Sequence, residues 1–214
     1  MPIAFHVRPM KTYEYGGDAL DLARSHPWTT TRASPEHRYY DLLAEPALIR
    51  TSLEDILPWV RYPAAERFYT LLEWLHGPTS PLESNDCVLV GPAPSESAQA
   101  RGPLECSGRV MVLFRDLRRN VEGDDLRILA SALHHALARV DRAFSRGAIG
   151  TTLVPVEYLA LPEAARHGAQ LMVSFWAWGR SEAECMSSLD RVLSNLDRVL
   201  RAITAPTDGA SQRD

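Results

Sequence analysis

Polar residues that could carry out chemistry gather in one segment of the chain, LESNDC. Glu83, Asn85 and Asp86 stand just ahead of an apolar run typical of a strand, and Arg109 and Arg115 lie on the next such run. Carboxylates and arginines near strand ends are able to hold a polar ligand or a divalent ion. Asparagine and aspartate before a strand are also ordinary turn formers, so a structural role is the competing interpretation.

Other catalytic signatures are missing from the sequence. It contains no GxSxG, GxGxxG, GxxxxGKS, GxxxxGKT or HExxH motif. A nuclease that pairs acidic residues with a nearby lysine lacks its lysine here, because Lys11 is the single lysine among 23 basic residues. His134 and His135 are adjacent on a predicted helix, about 100° apart, so they cannot share a metal as an i, i+4 pair would. We therefore expect no catalytic residue, no cofactor and no metal, and a non-enzymatic role is favoured over an enzyme.

The cysteines point to a structural role. Cys87, Cys106 and Cys185 are an odd number with no CxxC spacing, which argues against a disulfide framework and against a thiolate metal site, and favours a reducing compartment. Cys185 falls in the first turns of a predicted helix, where the helix dipole lowers a thiol pKa, but Glu182 and Glu184 oppose that effect. Its spacing places it on the apolar side of the helix, so we interpret it as a buried structural thiol.

Composition limits the partners of this protein. The chain has 214 residues, 45% of them hydrophobic, and a formal net charge of −4. These values are typical of a globular domain and show no basic stripe for nucleic acid. No apolar run approaches the roughly 18 residues of a membrane span. We expect a cytoplasmic protein that binds neither nucleic acid nor membrane, and the preference for arginine over lysine suggests a GC-rich bacterial genome.

Hydrophobic periodicity predicts a single α+β domain over residues 1–204. A strand at IAFHVR precedes a helical part at about 34–76, and the order strand-strand-helix then occurs twice over about 86–204. Short connections favour antiparallel neighbours, so the prediction is an antiparallel sheet of four to five strands with a repeated strand-strand-helix unit and additional N-terminal helices. Pro155 predicts an edge or a bulge in its strand. The tail at 205–214 is expected to be disordered.

The last predicted helix, Glu182 to about Thr204, raises the question of oligomeric state. Ser181 and Glu184 form a capping-box pattern at its start. The tandem heptads LDRVLSN and LDRVLRA could form a dimer seam, but they are short for a coiled coil. Packing within one chain, and hence a monomer, is favoured over a dimer.

The segment GAQLMVSFWAWGR supplies the candidate binding residues. Both faces of its strand are apolar, which is typical of a central strand covered on both sides and favours a core position for Trp176 and Trp178. Trp178 is the candidate exception, since it ends the strand beside Gly179 and Arg180. We expect a protein partner to contact the Gly/Pro/Ser-rich segment at 91–103, Trp178 and Arg180, with Arg118 and Arg119 at the rim.

Elimination then gives a functional expectation. A cytoplasmic α+β domain without catalytic motifs fits a protein-binding role, and a bacterial immunity protein that neutralises a cognate toxin is the favoured class, since mild negative charge suits a basic toxin. The alternative is a small-ligand-binding protein or enzyme that uses the polar residues around Asp86. A structural subunit of a larger assembly ranks third.

Overall fold

The computed structural model describes residues 11–14, 24–27, 41–96 and 100–205, which form an α+β fold. Its strands are β1 (Lys11–Glu14), β2 (Arg24–His26), β3 (Leu82–Pro94), β4 (Leu104–Phe114), β5 (Gly147–Tyr158) and β6 (His167–Gly179). Its helices are α1 (Leu48–Thr51), α2 (Pro63–His76), α3 (Asp124–Val140) and α4 (Glu182–Thr204). Short 3-10 turns cover Leu57–Trp59, Leu117–Asn120 and Glu163–Ala165.

The sheet is mixed, and this corrects the prediction of an antiparallel one. The strands run in the order β1–β5–β6–β4–β3, and β2 also pairs with β5. The four long strands are antiparallel neighbours, whereas β1 and β2 both run parallel to β5. Long connections leave strand direction free, while the hairpins β3–β4 and β5–β6 require antiparallel pairing. Pro155 lies in β5 between the stretch paired with β1, which ends at Thr151, and the stretch paired with β2, which begins at Val156.

Three helices cover one face of the sheet. α4 packs on β6 and lies between α2 and α3. The core between the layers contains Phe68 of α2, whose ring meets Phe175 of β6 edge-on with centroids 5.6 Å apart. The apolar stripe of α4 is buried within its own chain, since the following residues are all 0% exposed: Leu189, Val192, Leu193, Leu196 and Leu200. Intrachain packing of α4 is therefore confirmed, while the monomeric state stays a prediction.

Local signals set the limits of α4. Glu184 N–H donates to Ser181 Oγ at 3.3 Å, which confirms the first bond of the capping box. The Glu184 carboxylate accepts from the N–H of Arg180 at 2.8 Å, one residue before the expected donor. The helix then continues to Thr204 as predicted.

Other parts of the prediction differ from the structure. Within the expected helical part at 34–76, residues 41–47 form turns, α1 is a single turn, and only α2 is a long helix. The strand at IAFHVR, residues 34–40 and the tail from 206 onward lie outside the described residues. The repeated unit is not confirmed, because α4 packs across β6, β4 and both neighbouring helices whereas α3 contacts mainly α4. The extent of the domain stays a prediction.

The sheet is strongly curled. His26 in β2 and Glu83 in β3 belong to opposite edges, yet His26 Nε2 lies 2.9 Å from Glu83 Oε1. Four inter-strand spacings would separate these strands by about 19 Å in a flat sheet, far beyond the reach of two side chains. The face opposite the helices is therefore concave. Strand register places these residues on the concave face: Glu83, Asp86, Val88, Val90, Glu105, Ser107, Arg109, Met111, Gln170, Met172, Ser174, Trp176 and Trp178.

Candidate functional site

The polar cluster predicted from LESNDC is partly assembled on the concave face. β3 begins at Leu82, so Glu83, Asn85 and Asp86 lie within the strand rather than ahead of it. Arg109 of β4 donates from Nη2 to Asp86 Oδ2 at 3.3 Å. Glu83, with a side chain 10% exposed, is paired with His26, a partner that sequence reasoning missed because the two residues are far apart in the chain. Each carboxylate is thus held by a cationic or ionisable partner.

Asn85 and Arg115 do not join this pair. The register between β3 and β4 slips between Ser84 and Asp86, so Asn85 is the extra residue of a bulge. Neither of its buried amide atoms has a hydrogen-bond partner among the described residues. Arg115 instead reaches the end of α2. Its guanidinium donates to three backbone carbonyls, those of Leu75 at 2.9 Å, Gly77 at 2.7 Å and Leu82 at 3.1 Å. Of the five predicted residues, the structure thus brings Asp86 and Arg109 together, pairs Glu83 with His26, and leaves Asn85 and Arg115 apart, so a ligand-binding role stays a prediction.

The two adjacent histidines contact different parts of the chain. His134 Nε2 is 2.7 Å from Thr151 Oγ1, while His135 Nδ1 is 2.9 Å from the carbonyl oxygen of Ser131. Within the described ranges, no three His, Cys, Asp or Glu side chains come close enough together to hold a metal ion.

The predicted binding residues at the end of β6 are adjacent, but Trp178 is covered. Its Nε1 donates to Glu105 Oε2 at 2.8 Å, and the hydroxyl of Ser95 donates to the same oxygen at 2.8 Å. Within the expected segment at 91–103, Ser95 is thus linked to Trp178 through Glu105, and Trp178 is only 3% exposed. Arg180, in contrast, has a side chain 86% exposed. The segment itself is partly ordered, since residues 91–94 continue β3.

Arg118 and Arg119 lie on another part of the molecule. Glu105 of β4 faces Trp178, whereas both arginines follow the opposite end of the same strand, after Phe114. Nine residues of extended chain separate the two ends by about 30 Å. Arg119 lies over the Phe114 ring at 3.7 Å, and both arginines line a cleft of about 480 Å³ that also contains Glu122 and Pro162. The structure therefore does not bring these arginines next to Trp178, and the role of all of these residues in binding stays a prediction.

A different set of residues forms an accessible patch on the concave face. Trp176 is half-buried, and across the sheet it lies in one row with Ser107 and Val90, which is 47% exposed. Arg109 and Val88, both half-buried, occupy the next row. We call these five residues the Trp176 surface. The sequence placed Trp176 on this face through strand alternation, but it gave no signal that the ring is left partly exposed.

Comparison with known proteins assigns nothing to this site: no family model, no curated protein and no solved structure matches the chain. Among the helices of the described ranges, none combines the length and the apolar character required to cross a bilayer. The functional proposal therefore depends on the geometry of the surface.

Proposed function

We propose that this chain is a protein-binding domain that contacts its partner through the Trp176 surface, with Arg180 at the rim. The observation that carries the proposal is the partial exposure of Trp176 beside Val90, on a sheet face opposite α2, α3 and α4. Tryptophan and arginine are enriched at the energetic centres of protein interfaces. Ser107 and Val90, which lie in the same row as Trp176, have small side chains, so the indole ring is the group that a partner would contact most extensively.

The partner class that fits best is a basic protein toxin, which makes the chain a cytoplasmic immunity protein of a bacterium. The net charge of −4 favours association with a positively charged partner through electrostatic steering. Inhibition by direct contact needs no catalytic group and no cofactor. On the concave face, the acidic side chains Glu83 and Asp86 already pair with His26 and Arg109.

The test uses proteins encoded beside this gene as candidate partners. Each purified neighbour is titrated against the chain by calorimetry, and each is expressed with and without it to measure growth inhibition and rescue. Trp176→Ala and Arg180→Ala should weaken binding through the loss of side-chain contacts, the former by about 30-fold if the ring contributes roughly 2 kcal/mol. Ile128→Ala is the matched control, since Ile128 is 67% exposed on α3, in the helix layer.

Two outcomes would contradict the proposal. One is that no neighbouring product binds the chain or is neutralised by it. The other is that a neighbour binds, while Trp176→Ala and Arg180→Ala stay folded and bind it as tightly as the Ile128→Ala control does.

A small-ligand site on the concave face is the second candidate. It is favoured by Gln170, which is 0% exposed and whose two amide atoms have no hydrogen-bond partner in the described part of the chain. Buried amides are normally satisfied, so this one is available to a polar ligand. One polar ligand that such a site could hold is a divalent cation, and calorimetric titration with divalent cations tests for it. A micromolar site that Asp86→Asn abolishes would support it over the protein-binding role.

A further inference from the structure

Two of the three cysteines meet in the core between the sheet and the helices. Cys106 in β4 and Cys185 in the first turns of α4 are both 0% exposed, and their sulfur atoms lie 2.9 Å apart. Heavy atoms that are not bonded usually keep about 3.5–4.0 Å between them. A disulfide bond of about 2.05 Å would require less than 1 Å of further approach.

The backbone holds this pair in place. Cys106 is paired with Ala177 across the β4–β6 ladder, and the Sγ of Cys185 lies 3.4 Å from the carbonyl oxygen of Ala177. Gly179 lies between Ala177 and Cys185 in the sequence, and a Cβ atom at this position would come within 2.3 Å of the Cys185 nitrogen. Because glycine has no side chain, the first turn of α4 closes onto the end of β6 and brings Cys185 against Cys106.

We propose that Cys106 and Cys185 are an oxidisable dithiol that closes into an intrachain disulfide when the folded protein encounters a peroxide. The proposal is independent of the protein-binding role. It goes beyond the interpretation of Cys185 as a buried structural thiol, which rested on its position on the apolar side of the helix, and beyond the argument against a disulfide framework, which rested on the odd number of cysteines. That number does not prevent one pair and one remaining thiol.

The two sulfurs differ in reactivity. The hydrogen bond between the two sulfurs lowers the pKa of the Cys185 thiol and raises the pKa of the Cys106 thiol. Cys185 is therefore the nucleophile. Cys87 is half-buried and thus more exposed than the pair, but desolvation and the neighbouring Asp86 carboxylate raise its pKa to about 12, which makes it a weaker nucleophile.

The reaction balances with hydrogen peroxide as the oxidant. The Cys185 thiolate attacks one peroxide oxygen, the O–O bond breaks, and the products are a sulfenic acid and hydroxide. The Cys106 sulfur then attacks the sulfenic sulfur, the S–O bond breaks, and the departing hydroxide takes up the Cys106 proton as water. In total two thiols and one peroxide give one disulfide and two waters, and a dithiol reductant reverses the change.

The bond would cross-link two central elements. It joins residues 79 positions apart in the sequence, and long closed loops give large stabilisation through the unfolded state. Cys106 also follows Glu105, whose carboxylate holds Trp178 and Ser95. Oxidation would therefore tether α4 to β4 next to the Glu105 carboxylate that bonds Ser95 and Trp178.

The experiment treats the full chain with hydrogen peroxide under native conditions, then blocks free thiols with an alkylating agent in denaturant and measures the intact mass. We expect the loss of two hydrogen atoms, alkylation of one cysteine instead of three, a Cys106–Cys185 cross-linked peptide, and reversal by dithiothreitol. The oxidised protein should also unfold at a higher temperature than the reduced protein. Cys87→Ser should still lose two hydrogens, whereas Cys185→Ser should not.

Three results would overturn the inference. They are alkylation of all three cysteines after a peroxide dose that oxidises a model thiol peptide, gain of oxygen without loss of two hydrogens, or a cross-link that contains Cys87. A Cys106→Ala variant keeps the assay decisive if Cys185→Ser fails to fold, since it too must lose the cross-link.

Discussion

Replacement of Arg115 by methionine separates a structural arginine from a ligand-binding one. The side chain leaves β4 and crosses to the end of α2, where it donates to the carbonyls of Leu75, Gly77 and Leu82. Methionine keeps an unbranched apolar stem but removes every donor. If the contacts are structural, the variant should lose stability without any change in binding at the concave face.

The expected loss of unfolding free energy follows from the hydrogen-bond donors that each carbonyl keeps after the substitution. Leu82 O also accepts from the hydroxyl of Ser80, and Gly77 O also accepts from the N–H of Ser80. Loss of the second donor costs each about 0.5–1 kcal/mol, whereas Leu75 O loses its guanidinium donor at a cost of about 1–3 kcal/mol. The sum is about 3 kcal/mol, which lowers the melting temperature of a chain of this size by about 6–12 °C.

The assay is urea unfolding followed by circular dichroism, with Arg118→Met as the matched control because Arg118 is an exposed arginine three residues further on. The control should change the unfolding free energy by less than about 0.5 kcal/mol. Arg115→Lys should fall between the two, since one ammonium group cannot reach three carbonyls. An Arg115→Met midpoint equal to that of the control would refute the reasoning and return Arg115 to the ligand-site hypothesis.

Three further predictions concern stability. Asp141 accepts two hydrogen bonds from Arg191, which lower the pKa of its carboxyl. Its stabilising contribution is therefore present above the unfolded pKa of about 4 and is lost as the pH falls through the lower folded pKa. In Asp141→Asn, the unfolding free energy followed by fluorescence should accordingly fall less steeply as the pH is lowered. Trp178→Phe should cost about 1–3 kcal/mol in chemical denaturation through the lost bond to Glu105, and an unchanged midpoint would contradict that bond. Leu196→Asp should unfold the chain, because Leu196 is 0% exposed, and a folded monomer in size-exclusion chromatography would show that α4 is a dimer seam instead.

Elements with a strong local signal were predictable from the sequence. α4 combines a capping residue, Ser181, with an unbroken apolar stripe, and the structure places both where the sequence indicates. The four long strands carry alternation or continuous apolar runs, so their existence and antiparallel pairing followed from pattern and short connections. Their lengths did not, because β3 continues through Asn85 as a bulge and into Pro94.

Structural features that depend on contacts between residues far apart in the chain could not be predicted from the sequence. The parallel pairing of β1 and β2 with β5, and the curl that brings His26 to Glu83, are set by contacts between residues far apart in sequence. Within the helical part expected at about 34–76, the segment EPALIRTSLEDIL at 45–57 failed to form one helix for a related reason. Ile49 and Ile56 have helical spacing and are 0% and 1% exposed, but tertiary packing buries them from a single turn and a loop rather than from one continuous helix.

The two neighbouring tryptophans show where sequence reasoning about a binding surface ends. Strand alternation places Trp176 and Trp178 on the same face, with the same apolar surroundings in sequence, and favours Trp178 as the exposed one because it ends the strand. Exposure, however, is decided by what surrounds each ring. Hydrogen bonds link Trp178 to Glu105 and, through it, to Ser95, and Trp178 is buried, whereas Trp176 faces the small side chain of Ser107 and stays half-buried. The polar residues beside a tryptophan therefore determine its availability to a partner more than its position in the strand does.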